Sequence, residues 1–269
     1  NGKPQHLSHI RSPFSVPGQT IACIHQAGSN TLWMGAWDNG LYRHILGSDT
    51  VTRGAALDHA PFSHTGEEIT AITEAHGRLW LGTKRSGLRL LDTTTLRFTR
   101  HEHRFPDRAS LASNAIRCLL TDSRGMVWIG TDNGLDLYDP QADHFHTHWL
   151  GGSIAKADLD DRVTGIVRTA KGLVVTTVKH IHLEDAGYGW RTNREPAVAY
   201  HSLLHASTGD LLLGTNNGLI VLGADDRQAD AIRGVSAAAL QATEGDMPFL
   251  LPSSRINAIA EARVLGRPV

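Results

Sequence analysis

The stretch Val127-Trp128-Ile129-Gly130-Thr131-Asp132-Asn133-Gly134-Leu135 decides the fold, because it recurs. Leu32-Trp33-Met34-Gly35 and Leu79-Trp80-Leu81-Gly82 repeat its opening, with the tryptophans 47 and 48 residues apart. Each copy runs on to a Gly-Leu pair, at Gly40-Leu41, Gly87-Leu88 and Gly134-Leu135. Leu211-Leu212-Leu213-Gly214 with Gly218-Leu219 is a fainter copy, and Leu173-Val174-Val175-Thr176 has lost both the Trp and the Gly. A fixed period of this length marks a repeat architecture in which each unit is one supersecondary element.

An apolar strand precedes each copy, starting at Ile21, Ile69, Ile116, Val163, Tyr200 and Ile256. The third residue of each is small: Cys23, Ala71, Cys118, Gly165, Ser202 and Ala258. The residue between is mostly polar: Ala22, Thr70, Arg117, Thr164, His201 and Asn257. A further strand follows at Val51-Thr52-Arg53, Phe98-Thr99-Arg100 and Phe145-His146-Thr147, and Leu7-Ser8-His9 reads as another copy. Asp122-Ser123-Arg124-Gly125 is an Asx-type turn closed by Gly. Asp38-Asn39-Gly40, Asp132-Asn133-Gly134 and Asn216-Asn217-Gly218 are hairpin turns of the kind that needs positive φ. One unit is therefore a four-stranded antiparallel meander, with strands A, B, C and D.

Such a sheet has two apolar faces and no core of its own. Radial stacking covers both, so the expected fold is an all-β propeller of four-stranded antiparallel blades, about five blades plus partial blades at both ends. Residues 1–269 read as a single β-propeller domain or fragment with repeats starting near 21, 69, 116, 163, 200 and 256. The Gly after each Trp marks a close approach by a neighbouring sheet. The indoles should wedge between blades. Leu7–His9 is expected to be strand D of one partial blade, and Ile256–Ala260 strand A of another, so the parent protein is expected to continue on both sides.

Composition narrows the function. Net charge is −1 and pI near 7.0, which gives nucleic acid or an anionic membrane no electrostatic hold. There is no run of 18 apolar residues to span a bilayer. Asn1–Ile10 is too polar for a signal peptide. Cys23 and Cys118 fall at one position of two repeats, so they are expected as small buried thiols two blades apart rather than a disulfide.

The run Ser110-Leu111-Ala112-Ser113-Asn114-Ala115-Ile116, with Asp122-Ser123-Arg124-Gly125, Val127 to Leu135 and Tyr138-Asp139, resembles the two-component regulator propeller repeat. The copies at Ile21 and Ile69 resemble it well, that at Tyr200 fairly and that at Val163 poorly. The resemblance implies the extracytoplasmic, periplasmic sensor propeller of a bacterial inner-membrane receptor, with a histidine kinase or diguanylate cyclase output outside this segment. It also implies a homodimer formed through the parent receptor, and a small polar ligand or oligosaccharide.

In such a fold the B–C turns and D–A loops share one face around the channel, where propeller ligands usually bind. The candidate ligand-binding residues there are Trp37, Asp38, Arg85, Asn114, Asp132, Asn133, Asn216 and Asn217. Most of the Asp and Asn side chains have a competing role as turn formers, whereas a turn has no need of the Trp37 indole. The same face offers Lys84, Arg104, Asp107, Asp161 and Arg162. Sixteen histidines are present. His144, His146 and His148 alternate on one strand face, His101 with His103 and His180 with His182 stand similarly, and all are expected as solvated or partly packed edges. No catalytic residue, metal site or cofactor is assigned, and Glu67-Glu68 reads as surface. Two other functions compete with the sensor: a propeller lyase or hydrolase acting on a polysaccharide or small polar substrate, and an assembly scaffold without a ligand.

Overall fold

The computed structural model describes residues 20–37, 40–48, 51–53, 67–150, 161–184, 189–194, 199–223, 263–264 and 267–268. The first blade is β1 (Ile21–Ala27), β2 (Thr31–Ala36), β3 (Gly40–Ile45) and β4 (Val51–Arg53). The second is β5 (Ile69–Ala75), β6 (Arg78–Thr83), β7 (Leu88–Asp92) and β8 (Phe98–His101). The third is β9 (Ile116–Thr121), β10 (Val127–Thr131), β11 (Gly134–Asp139) and β12 (His144–His148). The fourth is β13 (Val163–Thr169), β14 (Gly172–Thr177), β15 (His180–Glu184) and β16 (Trp190–Arg194). The fifth shows β17 (Tyr200–His205), β18 (Leu211–Thr215) and β19 (Gly218–Leu222) among the described residues.

Each sheet is an antiparallel meander in chain order, so the fold is a β-propeller. A two-stranded pair, β20 (Arg263–Val264) and β21 (Arg267–Pro268), follows. The segments Leu7–His9 and Ile256–Ala260, expected as partial blades, lie outside the described residues. Successive A strands pack on one another, β1 on β5, β5 on β9, β9 on β13 and β13 on β17, which makes them the innermost strands of the stack.

The seams between blades are the core. Trp33 lies with Ile69, Leu79 and Leu81 between blades one and two, and Trp80 with Ile116, Val127 and Ile129 between two and three. Trp128 lies with Val163, Leu173 and Val175 between three and four. The three indoles are 3%, 1% and 4% exposed, which meets the expectation of wedges between sheets. Val174 stands at the Trp position of blade four, and there Tyr200, Leu213 and Ile220 complete the seam.

Glycine decides how close the sheets come. A Cβ on Gly130 would stand 2.5 Å from Cys118 Sγ and 2.6 Å from Val163 Cγ1, the first residue of the next innermost strand. Gly35 and Gly82 meet Ile69 and Ile116 in the same way at 2.6 Å. Blade four, which lacks this glycine, exchanges the roles. Thr176 takes the strand B position, Gly165 takes the small position of strand A, and a Cβ on Gly165 would stand 3.0 Å from Thr176 Oγ1 and 2.6 Å from Leu203 Cβ. Cys23 and Cys118 are free thiols against Gly35 and Gly130 of their own blades, and burial pushes both up to about 12.

Two buried titratable groups share one repeat position. Asp136 and His182 are both the third-strand residues opposite Ile129 and Val175 of strand B. Asp136 is 0% exposed, and burial pushes its carboxyl up to about 6 against the hydroxyl of Thr147 and the amide of Ala112. His182 is 1% exposed and shares hydrogen bonds with Thr192 Oγ1 at 3.0 Å and Thr177 Oγ1 at 3.4 Å. Burial pushes its imidazole down to about 4, with His180 adding to the effect.

Two predictions follow from the packing and from these groups. Gly130→Ala should cost about 1–3 kcal/mol by overpacking, whereas Gly189→Ala, whose Cβ meets open space, should stay within about 0.5 kcal/mol. Urea midpoints check this, and equal costs would contradict the close approach. For His182 the unfolded chain protonates first, near pH 6.5. Its stabilisation is therefore complete above that pH and lost as pH falls toward about 4, an effect on the order of 3 kcal/mol. Asp136 acts with the opposite sign, its contribution being full below its unfolded pKa and lost as pH rises through about 6. Urea unfolding of His182→Asn from pH 7 to 4.5 should show a shallower loss of stability than the natural chain.

Candidate functional site

The face formed by B–C turns and D–A loops is built by a repeated bond. The residue after strand B donates its amide to the carbonyl just before strand A: Trp37 to Thr20, Lys84 to Glu68, Asp132 to Ala115 and Asn216 to Ala199, at 3.0–3.1 Å. Gly87 donates to Asn114 of the next loop at 2.9 Å. Turns and loops therefore stand together, as expected.

The last residue of strand B holds the turn in shape. Thr83, Thr131 and Thr215 are buried, and their hydroxyls donate to the carbonyls of Gly87, Gly134 and Gly218 at 2.8–2.9 Å. The same oxygens accept the amides of Ser86, Asn133 and Asn217. Gly87, Gly134 and Gly218 have φ of 73°, 118° and 111°, as these hairpins require.

Strand A opens with a β-bulge in every blade. Ile69 pairs with Thr83 and Ala71 with Gly82, which leaves Thr70 unpaired in the ladder; Ala22, Arg117, Thr164 and His201 occupy the same extra position. A bulge re-aims one side chain. Here it turns the second, mostly polar residues of the innermost strands out of the ladder beside the turns. Thr70 Oγ1 donates to Ile116 O of the next blade at 2.8 Å, and Arg117 makes a two-pronged ion pair with Asp132 at 2.5 and 3.2 Å.

The eight candidate residues are placed as follows. Trp37 is 49% exposed, and Lys84 Nζ lies 5.3 Å from its ring centroid while pairing with Glu68 at 2.5 Å. Arg85 is exposed in the same turn as Lys84. Asn114 accepts the amide of His103 at 2.7 Å, and Asn133 Nδ2 donates to Ala112 O at 3.3 Å, so both brace the loop between blades two and three. Asp132 is engaged by Arg117. Asn216 accepts the amide of Ala199 at 2.8 Å, and Asn217 is exposed in the blade-five turn. Asp38 lies outside the described residues. The structure thus joins Trp37 to the blade-two turn, and Asn114 to Asn133 through one loop, while Asn216 and Asn217 stand on the turn of a separate blade.

Among the described residues of this face, the loop from His103 to Ala115 is the most thoroughly pinned. Asp136 accepts the Ala112 amide at 2.8 Å, His103 Nδ1 bonds Leu111 O at 2.6 Å, and Phe145 donates to Ala109 O at 2.9 Å. Ser110 Oγ accepts from the Arg104 amide, and Asp107 caps Ala109. Phe105 projects from this loop at 90% exposure. Glu67 and Glu68, just ahead of β5, form ion pairs with Arg89 at 2.9 Å and with Lys84 rather than a solvated surface. The clamping threonines, the bulge and these ion pairs were not singled out from the sequence, although Thr follows the Gly at 83, 131 and 215 and the bulged position is polar in most repeats.

The histidines divide. His144 and His146 are exposed on β12, whereas His148 packs between Trp128 and Trp190, with centroids at 5.6 and 6.2 Å. His101 packs on Phe145 at 5.3 Å, and His182 is interior to a third strand rather than an edge. Among the described residues, no group of three His, Cys, Asp or Glu side chains could hold a metal ion. Among the described residues, the face presents paired charges, amides and the half-exposed Trp37 indole, groups that can hydrogen-bond and stack on a polar ligand.

Residues 110–133 match the model of the two component regulator propeller family. That match covers one repeat, a small part of the chain. It spans the end of the pinned loop, the Asp122 turn, Trp128, Gly130 and the Thr131 clamp, which are parts of the repeat that hold loop, turn and seam together. No curated protein matches the sequence. Among solved structures, the chain is similar to the extracellular domain of the hybrid two component system BT4673 from B. thetaiotaomicron, with 21% identity and TM-score 0.65, over 80% of this chain and 28% of that one. It is also similar to virginiamycin B lyase from Staphylococcus aureus, with 12% identity and TM-score 0.57, over 78% and 72%. The chain thus spans less than a third of the extracellular domain it resembles.

Asp136→Ala should release the loop it pins. Hydrogen exchange at the Ala112 amide should quicken strongly, and stability should fall by about 1–3 kcal/mol for the partners left unsatisfied. Unchanged exchange would show that the other bonds hold the loop without it.

Proposed function

We propose that this chain is the ligand-sensing part of an extracytoplasmic, periplasmic propeller in a bacterial membrane signalling receptor. The carrying observation is the match at residues 110–133 to the two component regulator propeller, set in a blade whose Asp136 and Thr131 hold the loop and the turn of one face together. On this reading the segment itself is not catalytic, and a histidine kinase or diguanylate cyclase output lies elsewhere in the parent. Ligand bound on the Trp37–Lys84 side of the face biases the packing of propellers in a receptor dimer, and the output domain reads the shift. The ligand is a small polar molecule or an oligosaccharide, for which the half-exposed Trp37 indole is a stacking platform and Arg85, Asn114, Asp132, Asn133, Asn216 and Asn217 are hydrogen-bonding partners.

A thermal-shift screen with glycans and polar metabolites tests this. A true ligand at about 100 times its Kd adds about 2.7 kcal/mol to folded stability, on the order of 5 °C or more in Tm for a domain of this size. Trp37→Ala should abolish that shift while leaving the unliganded Tm nearly unchanged, since the indole is half exposed. A ligand whose shift survives Trp37→Ala binds elsewhere, and a screen without any shift favours the scaffold.

A further inference from the structure

The repeat supplies its own comparison for each seam. Strand pairing makes Tyr138 and Glu184 equivalent fifth-position residues of strand C, Phe145 and Trp190 equivalent residues of strand D, and His101 and His148 equivalent last contacts of strand D in the preceding blade. At the seam of blades two and three, the Tyr138 ring packs edge-on against Trp80 with centroids 4.8 Å apart. Phe145 and His101 close around it at 5.3 and 6.2 Å, and its hydroxyl donates to Asp143 at 2.8 Å. That seam is full.

At the seam of blades three and four the corresponding aromatic walls remain. Trp128 replaces Trp80, Trp190 replaces Phe145, and His148 replaces His101, lying 5.6 and 6.2 Å from the two indoles. Among the described residues the filling ring does not. Glu184 stands where Tyr138 stood, and its carboxylate turns to Arg168 at 2.6 Å and to the Leu173 amide at 2.8 Å. Arg168 is held in turn by Asp122 at 3.1 Å. A cavity of about 260 Å³ results, lined by Trp128, His148, Trp190 and Met126, with Arg124 and Glu184 also on its wall.

We propose that this cavity is a binding site for a small phenol-type aromatic ring, which would take the place that Tyr138 fills one seam earlier. The walls supply edge-to-face aromatic contacts. Arg124 and Glu184 offer a donor and an acceptor to the ring's polar substituent. The site lies on the turn side occupied by the Asp122–Gly125 A–B turn, away from the B–C face, so it is independent of the ligand site proposed above.

The probe is p-cresol, which is the tyrosine side chain itself, with cyclohexanol as a non-aromatic control. On the full chain, p-cresol in the high micromolar to millimolar range should perturb the indole N–H resonances of Trp128 and Trp190 and leave that of Trp80 unmoved, with cyclohexanol at least fivefold weaker. Glu184→Tyr should fill the cavity from within, raise Tm and weaken p-cresol binding at least tenfold; Trp190→Ala should weaken it severalfold. Absence of saturable indole shifts in the natural chain overturns the proposal even if both variants fail to fold. So does binding that moves Trp80 equally, or that persists undiminished in Glu184→Tyr.

Discussion

The contact between the first residue of each innermost strand and the glycine of the preceding blade governs the rest of the molecule. Ile69, Ile116 and Val163 sit where the Cβ atoms of Gly35, Gly82 and Gly130 would have been. Only at that separation can an indole on one sheet be covered by leucines and valines of the next. Each buried indole removes on the order of 200 Å² from water, roughly 5 kcal/mol before ordering costs. Blade four keeps the spacing by moving the glycine to strand A, so the constraint is on summed volume at the crossing rather than on one residue.

With the spacing set, each repeat position becomes a slot that different blades fill differently. The slot beneath the B–C turn holds Arg89, Asp136 and His182 in successive blades. Arg89 bonds Glu67 and Asp136 bonds Ala112, so each ties the loop that enters its own blade, while His182 turns instead to Thr192. The outer slot of strand C holds Tyr138 in one seam and Glu184 in the next, where a cavity opens among the described residues. Sharing of backbone geometry with divergence at slots is how a repeat fold acquires local chemistry without altering its architecture.

Much of this was legible in the chain. The Trp-x-Gly and Asn-Gly spacing located the second and third strands, the burial of Trp33, Trp80 and Trp128 and the sharing of one face by turns and loops, because local turn chemistry and periodicity depend on near neighbours. The Asx turn at Asp122 was equally plain, since Asp122 accepts the amides of Arg124 and Met126 just downstream. What Asp122 does for the next blade was not. Its carboxyl is pushed up by burial, but the Arg124 guanidinium, two amides and the Trp128 indole outweigh this and hold it low, and Oδ2, which takes the Arg124 guanidinium and the Trp128 indole, also receives Arg168 from 46 positions away. The mostly polar second residue of strand A is visible as a pattern in the chain, yet its cause, a bulge, appears only when partner strands are in register. The three alternating histidines of β12 look alike in sequence. They separate into two exposed rings and one packed ring because a neighbouring sheet covers only the end of that strand.

By itself, then, the sequence determined that the chain is a string of antiparallel meanders which must stack, because every turn and apolar alternation lies within a single unit. The tertiary structure alone decided which charges pair, which histidine is interior and which seam is hollow. Those outcomes depend on residues of adjoining blades that meet in space while standing some 46 positions apart in the chain.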